Sequence, residues 1–281
     1  MKLRELFPEA VMNRQPQMGP EWLTLEFGDQ FVHFPQHKLS PRERILLTMQ
    51  QQTVLVEGEA DVWHQYLLQK KGQIPQKLDA AQLLYVEHAT RLSPDLLELF
   101  RDLLPNLLAV VEASSTRTVL VLHQEPRLEV AALVQDVLPT VENDFDTKLT
   151  IFFGNSWTRL QQEDLRHLFD SEYQLFSDFV RLKGNEQTIS FSSMIIWAQS
   201  RQLDLAAISE KIRHYIDDSK DISDIIEALW QSQGNLVQTA QKLFMHRNSL
   251  QYKLDKFHSL SGLNLKNLDD LAFCRLLMLH D

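Results

Sequence analysis

Glycine is scarce in this chain, eight residues in 281. Loops that cradle phosphates need several glycines at fixed spacing, and neither G-x-G-x-x-G nor G-x-x-x-x-G-K-[ST] occurs. Nucleotide-binding enzymes of those two kinds are therefore excluded. Cysteine is scarcer still. Cys274 stands alone, so no internal disulfide and no cysteine-rich zinc site can form. No run of about 18 apolar residues exists, and no transmembrane helix is expected. The opening MKLRELFPEA has no apolar h-region, so no secretory leader is expected and the reading is cytoplasmic. Positive charge is in deficit, with a net charge of −10, which argues against bulk affinity for nucleic acid.

What is present is an ordinary globular composition, 44% hydrophobic and 23% charged. The length exceeds the roughly 100–200 residues of one domain, so more than one is expected. Residues 1–20 read as irregular, with Pro8, Pro16, Gly19 and Pro20. EWLTLEF and QFVHF alternate around Gly28-Asp29 and predict a β-hairpin. Ser40-Pro41-Arg42-Glu43 has the pattern of a capped helix start, and a second helix is expected near Asp61–Lys70.

From about 81 to 182 the order of patterns is β-α-β-β-α-β-α. The strands are Gln82–His88, Leu107–Glu112, Thr118–His123 and Lys148–Phe153. The helices are 94–104, opened by Ser93-Pro94, then Pro126–Val141 and Leu160–Leu182. A mixed sheet with helices packed against it is expected. After Lys183-Gly184-Asn185 only helical patterns remain, near 191–199, 204–216, 221–232, 235–244, 248–259 and 267–279. The expected organisation is a small N-terminal region, 1–75, an α/β domain, 76–184, and an all-α domain, 188–281. The fold class is α+β.

The informative stretch is GNLVQTAQKLFMHRNSLQYKLDKFHSLSG, Gly234 to Gly262. Asn235 with Gln238 forms a capping-box pattern, and Leu236, Ala240, Leu243 and Phe244 share one helical face. Met245-His246-Arg247 makes a short turn. Leu250, Leu254 and Phe257 form the buried stripe of a second helix. Its opposite side carries Asn248, Tyr252, Asp255 and Lys256, with Ser249 and Gln251 at the margins and Arg247 in the first turn. Residues 234–260 hold Lys242, Arg247, Lys253 and Lys256 against one acid, Asp255. Two short helices, a tight turn and a polar second helix make the pattern of a helix-turn-helix. Arg reads guanine, Asn or Gln reads adenine, and lysines neutralise phosphates. The same periodicity also suits a helical hairpin with a solvated polar face. His246 suits either a phosphate contact or a helix cap.

This stretch resembles the C-terminal helix-turn-helix of the PucR/CdaR (sugar-diacid regulator-like) bacterial transcription factors. Thr239-Ala240, His246-Arg247-Asn248, Leu250, Tyr252, Leu254 and Gly262 match that family's pattern, with Ser249 in place of Thr and Lys253 in place of Arg. The resemblance covers about 221–280 and extends more loosely to the Fis nucleoid protein. It implies a sequence-specific DNA-binding transcriptional regulator, expected as a homodimer on double-stranded DNA. An unidentified small-molecule effector is compatible with it, and no cofactor is implied. The residues it places at DNA are Thr239, His246, Arg247, Asn248, Ser249, Gln251, Tyr252, Lys253 and Lys256. Members often carry a degenerate GGDEF-like (nucleotide-cyclase-fold) domain, which the order of patterns in 81–154 resembles. Here the hairpin turn is Ala113-Ser114-Ser115-Thr116, without the Gly-Gly-Asp/Glu-Glu-Phe loop, and Gln82–His88 offers only Glu87 as a carboxylate. No catalytic activity is expected. The alternative is a protein-interaction scaffold with a vestigial helix-turn-helix.

Other constellations point to structure. His33-x-x-x-His37 has metal-ligand spacing, but Pro35 breaks the helix it needs. Cys274 among Leu271, Leu276 and Leu277 reads as a core thiol, and Asp217-Asp218 and Asp269-Asp270 read as helix-end residues. The five tryptophans read mainly as core.

Overall fold

The computed structural model describes residues 7, 9–13, 21–27, 30–40, 59–73, 78, 80–123, 130–161, 164–183 and 186–279. The helix start at Ser40–Glu43 and the turn at Gly28-Asp29 fall at or beyond the edges of those residues.

The N-terminal strands β1 (Val11–Asn13), β2 (Trp22–Phe27) and β3 (Gln30–Pro35) form an antiparallel sheet in the order β1-β3-β2. β2 and β3 are the expected hairpin. β1 corrects the irregular reading of 1–20, since three residues are too few to show a two-residue period. Leu25, Val32, Phe34 and Leu39 form the small core of this sheet. His33 is fully buried there, its two ring nitrogens bonded to Thr24 and Asn13, each at 2.7 Å.

The central sheet is built from β4 (Ala80–His88), β5 (Leu107–Ser114), β6 (Arg117–His123), β7 (Leu149–Phe153), β8 (Trp157–Thr158) and β9 (Thr188–Ile189). Its order is β5-β6-β4-β7-β9, with β8 on β4. Only β7–β9 is parallel among its pairs; β4 lies between β6 and β7, antiparallel to both. This is a split β-α-β-β-α-β unit. β9 corrects the expectation that strands stop at 185. At two residues it has no sequence signature, and its pairing partner β7 recruits it.

Both faces of the sheet are covered, because alternate residues of β4 point opposite ways. Leu84 and Val86 face α2 (Pro94–Leu103) and α3 (Val130–Asp144), meeting Leu96, Phe100, Val134 and Leu138. Ser93 caps α2 by accepting from the Leu96 amide at 3.2 Å, as its sequence indicates. Leu83 and Tyr85 face the other way, toward α1 (Glu59–Leu67) and α4 (Asp164–Leu182). Arg166 of α4 donates to the carbonyls of Tyr66, Lys71 and Gly72 at 2.8–3.0 Å, satisfying the C-terminal end of α1.

The C-terminal helices are α5 (Phe191–Ser200), α6 (Ala206–Asp217), α7 (Ile222–Gln231), α8 (Leu236–Lys242), α9 (Arg247–Ser261) and α10 (Leu268–Leu279), close to the six periodic segments. They do not build a core of their own. One continuous buried cluster runs from Trp63, Leu83 and Phe152 through Phe176, Tyr215 and Ile226 to Leu250, Leu254, Phe257 and Phe273. The change from strands to helices near 184–188 is therefore a change in chain pattern across a shared core. Cys274 lies inside that cluster, and burial pushes its thiol far above the ordinary range, which leaves it inert.

Candidate nucleic-acid interface

α8 begins at Asn235, whose side chain accepts from the amides of Val237 and Gln238 at 3.0 and 3.1 Å. The helix is short because the backbone turns left-handed at Phe244, φ 51°. The Met245 amide then closes the turn on the Ala240 carbonyl at 3.0 Å. α9 opens at His246, whose Nδ1 accepts from the Asn248 amide at 3.2 Å. His246 thus acts as a cap, and its ring is exposed. Ala240, Leu250, Leu254 and Phe257 are buried between the helices and the rest of the core.

The opposite side of α9 is open. Arg247, Asn248, Ser249 and Lys256 are exposed, and Tyr252 is 68% exposed. Arg247, Asn248, Ser249 and Tyr252 lie in the N-terminal half of α9, and Lys256 lies in its C-terminal half. Other expected residues are placed differently. Thr239 is fully buried, and its hydroxyl donates to the Asn235 carbonyl at 2.8 Å, so it belongs to the internal packing of α8. Lys253 is half-buried in an ion pair with Asp221 at 2.9 Å, which ties α9 to the start of α7. Gln251 donates to Asp255 at 2.7 Å, and Lys266 reaches the same carboxylate at 3.2 Å. Those two partners hold the Asp255 carboxyl below the usual range. The one acid on this face is thus compensated from within the chain.

Phe244 corrects the helical-face reading. It is 98% exposed, since it lies beyond the end of α8 where the left-handed turn swings it outward. Trp230 is half-exposed, whereas Trp63 and Trp157 are fully buried.

Three features of this site carry no sequence signal. The last carbonyls of α9 are capped by residues of the sheet. Asn155 Nδ2 donates to the Ser261 carbonyl at 2.8 Å, and Thr158 Oγ1 to the Leu260 carbonyl at 2.5 Å. Buried Glu172 on α4 accepts from the Asn155 amide, from Trp157 Nε1 and from the Tyr85 hydroxyl at 2.9–3.0 Å. Burial pushes its carboxyl up to about 7, although the Asn155, Tyr85 and Trp157 donors pull it down.

Elsewhere, Glu87 is bound by Arg117, whose Nε donates at 2.6 Å. Among the described residues no group of three or more His, Cys, Asp or Glu is arranged to hold a metal ion. No described helix is long and apolar enough to cross a membrane.

Comparison with known proteins agrees with this geometry. Residues 223–278 match the family model of the PucR C-terminal helix-turn-helix domain. The chain is 37% identical over 280 residues to the "Leucine-rich protein" of Streptococcus dysgalactiae subsp. equisimilis, covering 99% of each. It is 20% identical over 263 residues to the uncharacterized protein YxkF of Bacillus subtilis (strain 168), covering 86% of this chain and 84% of that one. The regulator of polyketide synthase expression from Bifidobacterium adolescentis aligns in structure with a TM-score of 0.35 and 11% identity, over 75% of this chain and 80% of that one. The chain therefore belongs to the family of the streptococcal leucine-rich protein, and its residues 223–278 match the PucR C-terminal helix-turn-helix domain.

Proposed function

We propose that this protein is a sequence-specific DNA-binding transcriptional regulator that reads the major groove with α9. The observation that carries this is the open face of α9, with Arg247, Asn248, Ser249 and Tyr252 exposed over a buried Leu250–Leu254–Phe257 stripe. Asn248 and Arg247 have the donors and acceptors for base edges, and Lys256 would neutralise a phosphate. One such helix reads only a few base pairs, so a homodimer on paired half-sites is part of the proposal. The chain segments 1–75, 76–184 and 188–281 are proposed as its divisions, of which the last two share one core.

A salt titration on duplex DNA tests this reading. Affinity is expected to fall steeply with salt, as counterions are released from neutralised phosphates. Asn248→Ala is expected to cost about 1–3 kcal/mol at the preferred site and to relax one base position. Lys256→Ala should weaken all sequences alike and lower the salt slope by roughly one. Lys253→Ala should do less, because Asp221 already holds that ammonium. Arg247→Ala and Asn248→Ala chains that fold and bind DNA as tightly as wild type would sink the proposal. The exposed Trp230, Phe244 and Leu268 then favour the second reading, a scaffold that engages protein.

The α/β unit is proposed to be a catalytically silent relative of the nucleotide-cyclase fold. Its split strand order supports the kinship, and the two-residue turn Ser115-Thr116 and the Glu87–Arg117 pair support the silence. Purified protein with nucleoside triphosphates and magnesium or manganese should form no cyclic dinucleotide. Turnover that is lost in Glu87→Gln would overturn that part.

A further inference from the structure

The last turn of any α-helix leaves carbonyls without intrahelical partners. In α9 the αL residue Gly262 returns its amide to the His258 carbonyl at 2.9 Å, and the sheet supplies the next donors. They come from residues 154–158, which run from the end of β7 through β8. Gly154 is pinned on both sides, its amide donating to the Leu83 carbonyl and its carbonyl accepting from Gln82, each at 2.9 Å. Asn155 is held by Glu172 through its amide and reaches Ser261 with its side chain. Thr158 is held twice by the Tyr215 hydroxyl, which accepts from its amide at 3.0 Å and donates to its carbonyl at 2.6 Å. It reaches Leu260 with its own hydroxyl. The fit is close. A Cβ on Gly262 would stand 2.4 Å from Asn155 Oδ1 and 2.8 Å from the Ser156 carbonyl oxygen.

The two ends of α9 thus do different work. The free end carries Arg247 and Asn248, and the other is seated on the sheet. A helix of this length is a rod of about 22 Å, so a tilt of about 10° at the seat moves the free end by about 4 Å. Base-edge hydrogen bonds tolerate only a few tenths of an ångström.

We infer that Asn155 and Thr158 are positioning residues for the recognition helix, and that the 154–158 segment is the route by which the α/β unit sets how α9 presents itself to DNA. This rests on the proposed reading of α9 as the DNA-reading helix. Neither residue touches DNA. They act through the Ser261 and Leu260 carbonyls.

The test uses the full chain and a duplex selected by the wild type from a random-sequence pool. Asn155→Ala and Thr158→Val remove one donor each, and Thr158→Ser restores the hydroxyl. The expected result is a loss of about tenfold for the selected duplex in both deletion variants, comparable to losing one base contact. Affinity for unselected duplex at low salt should be nearly unchanged, and Thr158→Ser should recover the loss. Folded deletion variants that bind the selected duplex like wild type would overturn the inference and leave the DNA-binding proposal standing. If wild type selects no duplex, the DNA-binding proposal fails. Amide exchange then decides the inference. Faster exchange from Arg247 to Ser261 in Asn155→Ala upholds the seating of the whole helix, and faster exchange confined to the last turn overturns it. Should Asn155→Ala fail to fold, the Thr158→Val and Thr158→Ser pair carries the same comparisons.

Discussion

Leu254→Ala should lower the stability of the whole chain by about 2–5 kcal/mol, the cost of deleting a large buried side chain and leaving a cavity. Leu254 sits on the inner side of α9, 1% exposed, in the cluster that also contains Leu83 and Phe152 of the sheet. Because the helix-turn-helix has no core apart from that cluster, the loss should appear as an earlier midpoint in a single cooperative transition. Urea unfolding followed by far-ultraviolet circular dichroism and by tryptophan fluorescence checks this, since Trp157 lies in the sheet layer of the same core. Lys256→Ala, on the exposed face of the same helix, should stay within about 0.5 kcal/mol of wild type. A Leu254→Ala chain whose C-terminal helices melt first, with the sheet unaffected, would show that the two parts fold independently.

The second large effect is on stability against pH. Glu172 has its carboxyl pushed up to about 7 by burial, against an ordinary value of 4.5. Between those two values the folded chain keeps a proton that the unfolded chain has released. Stability from this group is therefore full below pH 4.5, falls as pH rises to about 7, and is level above it. The size is on the order of 3 kcal/mol. His88, whose imidazole burial lowers below its usual value, contributes with the opposite sign in part of this window. Glu142, Asp221 and Asp255, whose carboxyls are lowered, act below it. Asp170 and Asp270, both raised by burial, act in the same direction as Glu172. Comparison with Glu172→Gln isolates the one group. The Gln oxygen can still accept from Asn155 and Trp157, and its amide can donate to the Tyr85 hydroxyl. The stability difference between wild type and Glu172→Gln, measured from pH 5 to 8, should shift steadily against wild type as pH rises toward 7. A difference that is flat over this range would mean that Glu172 does not titrate there.

Much of the helix-turn-helix is legible in the sequence because its determinants are local. Asn235 caps α8 from two and three residues away, His246 caps α9, and Leu250, Leu254 and Phe257 repeat at helical spacing. The same holds for Ser93 before α2 and for the alternating residues of β4. The misreadings have an equally local cause. A continuous helical wheel puts Phe244 on the inner face, and the family resemblance puts Thr239 at DNA. The helix stops at Lys242, Phe244 turns outward, and Thr239 turns its hydroxyl back to Asn235. β1 and β9, of three and two residues, were too short to show a period.

By itself, then, the sequence determined the α+β order of elements, the two helices of the helix-turn-helix and the residues on the open face of α9, since each depends on residues within a few positions of one another. Only the tertiary structure decided that Lys253 is held by Asp221, that Asp255 is compensated by Lys266, and that Asn155 seats the end of α9 from 106 positions away. A hydrogen bond across that separation leaves no periodicity to read. It forms because packing the helices and the sheet around one core brings an unsatisfied helix end against a loop whose donors are already fixed by Glu172 and Tyr215.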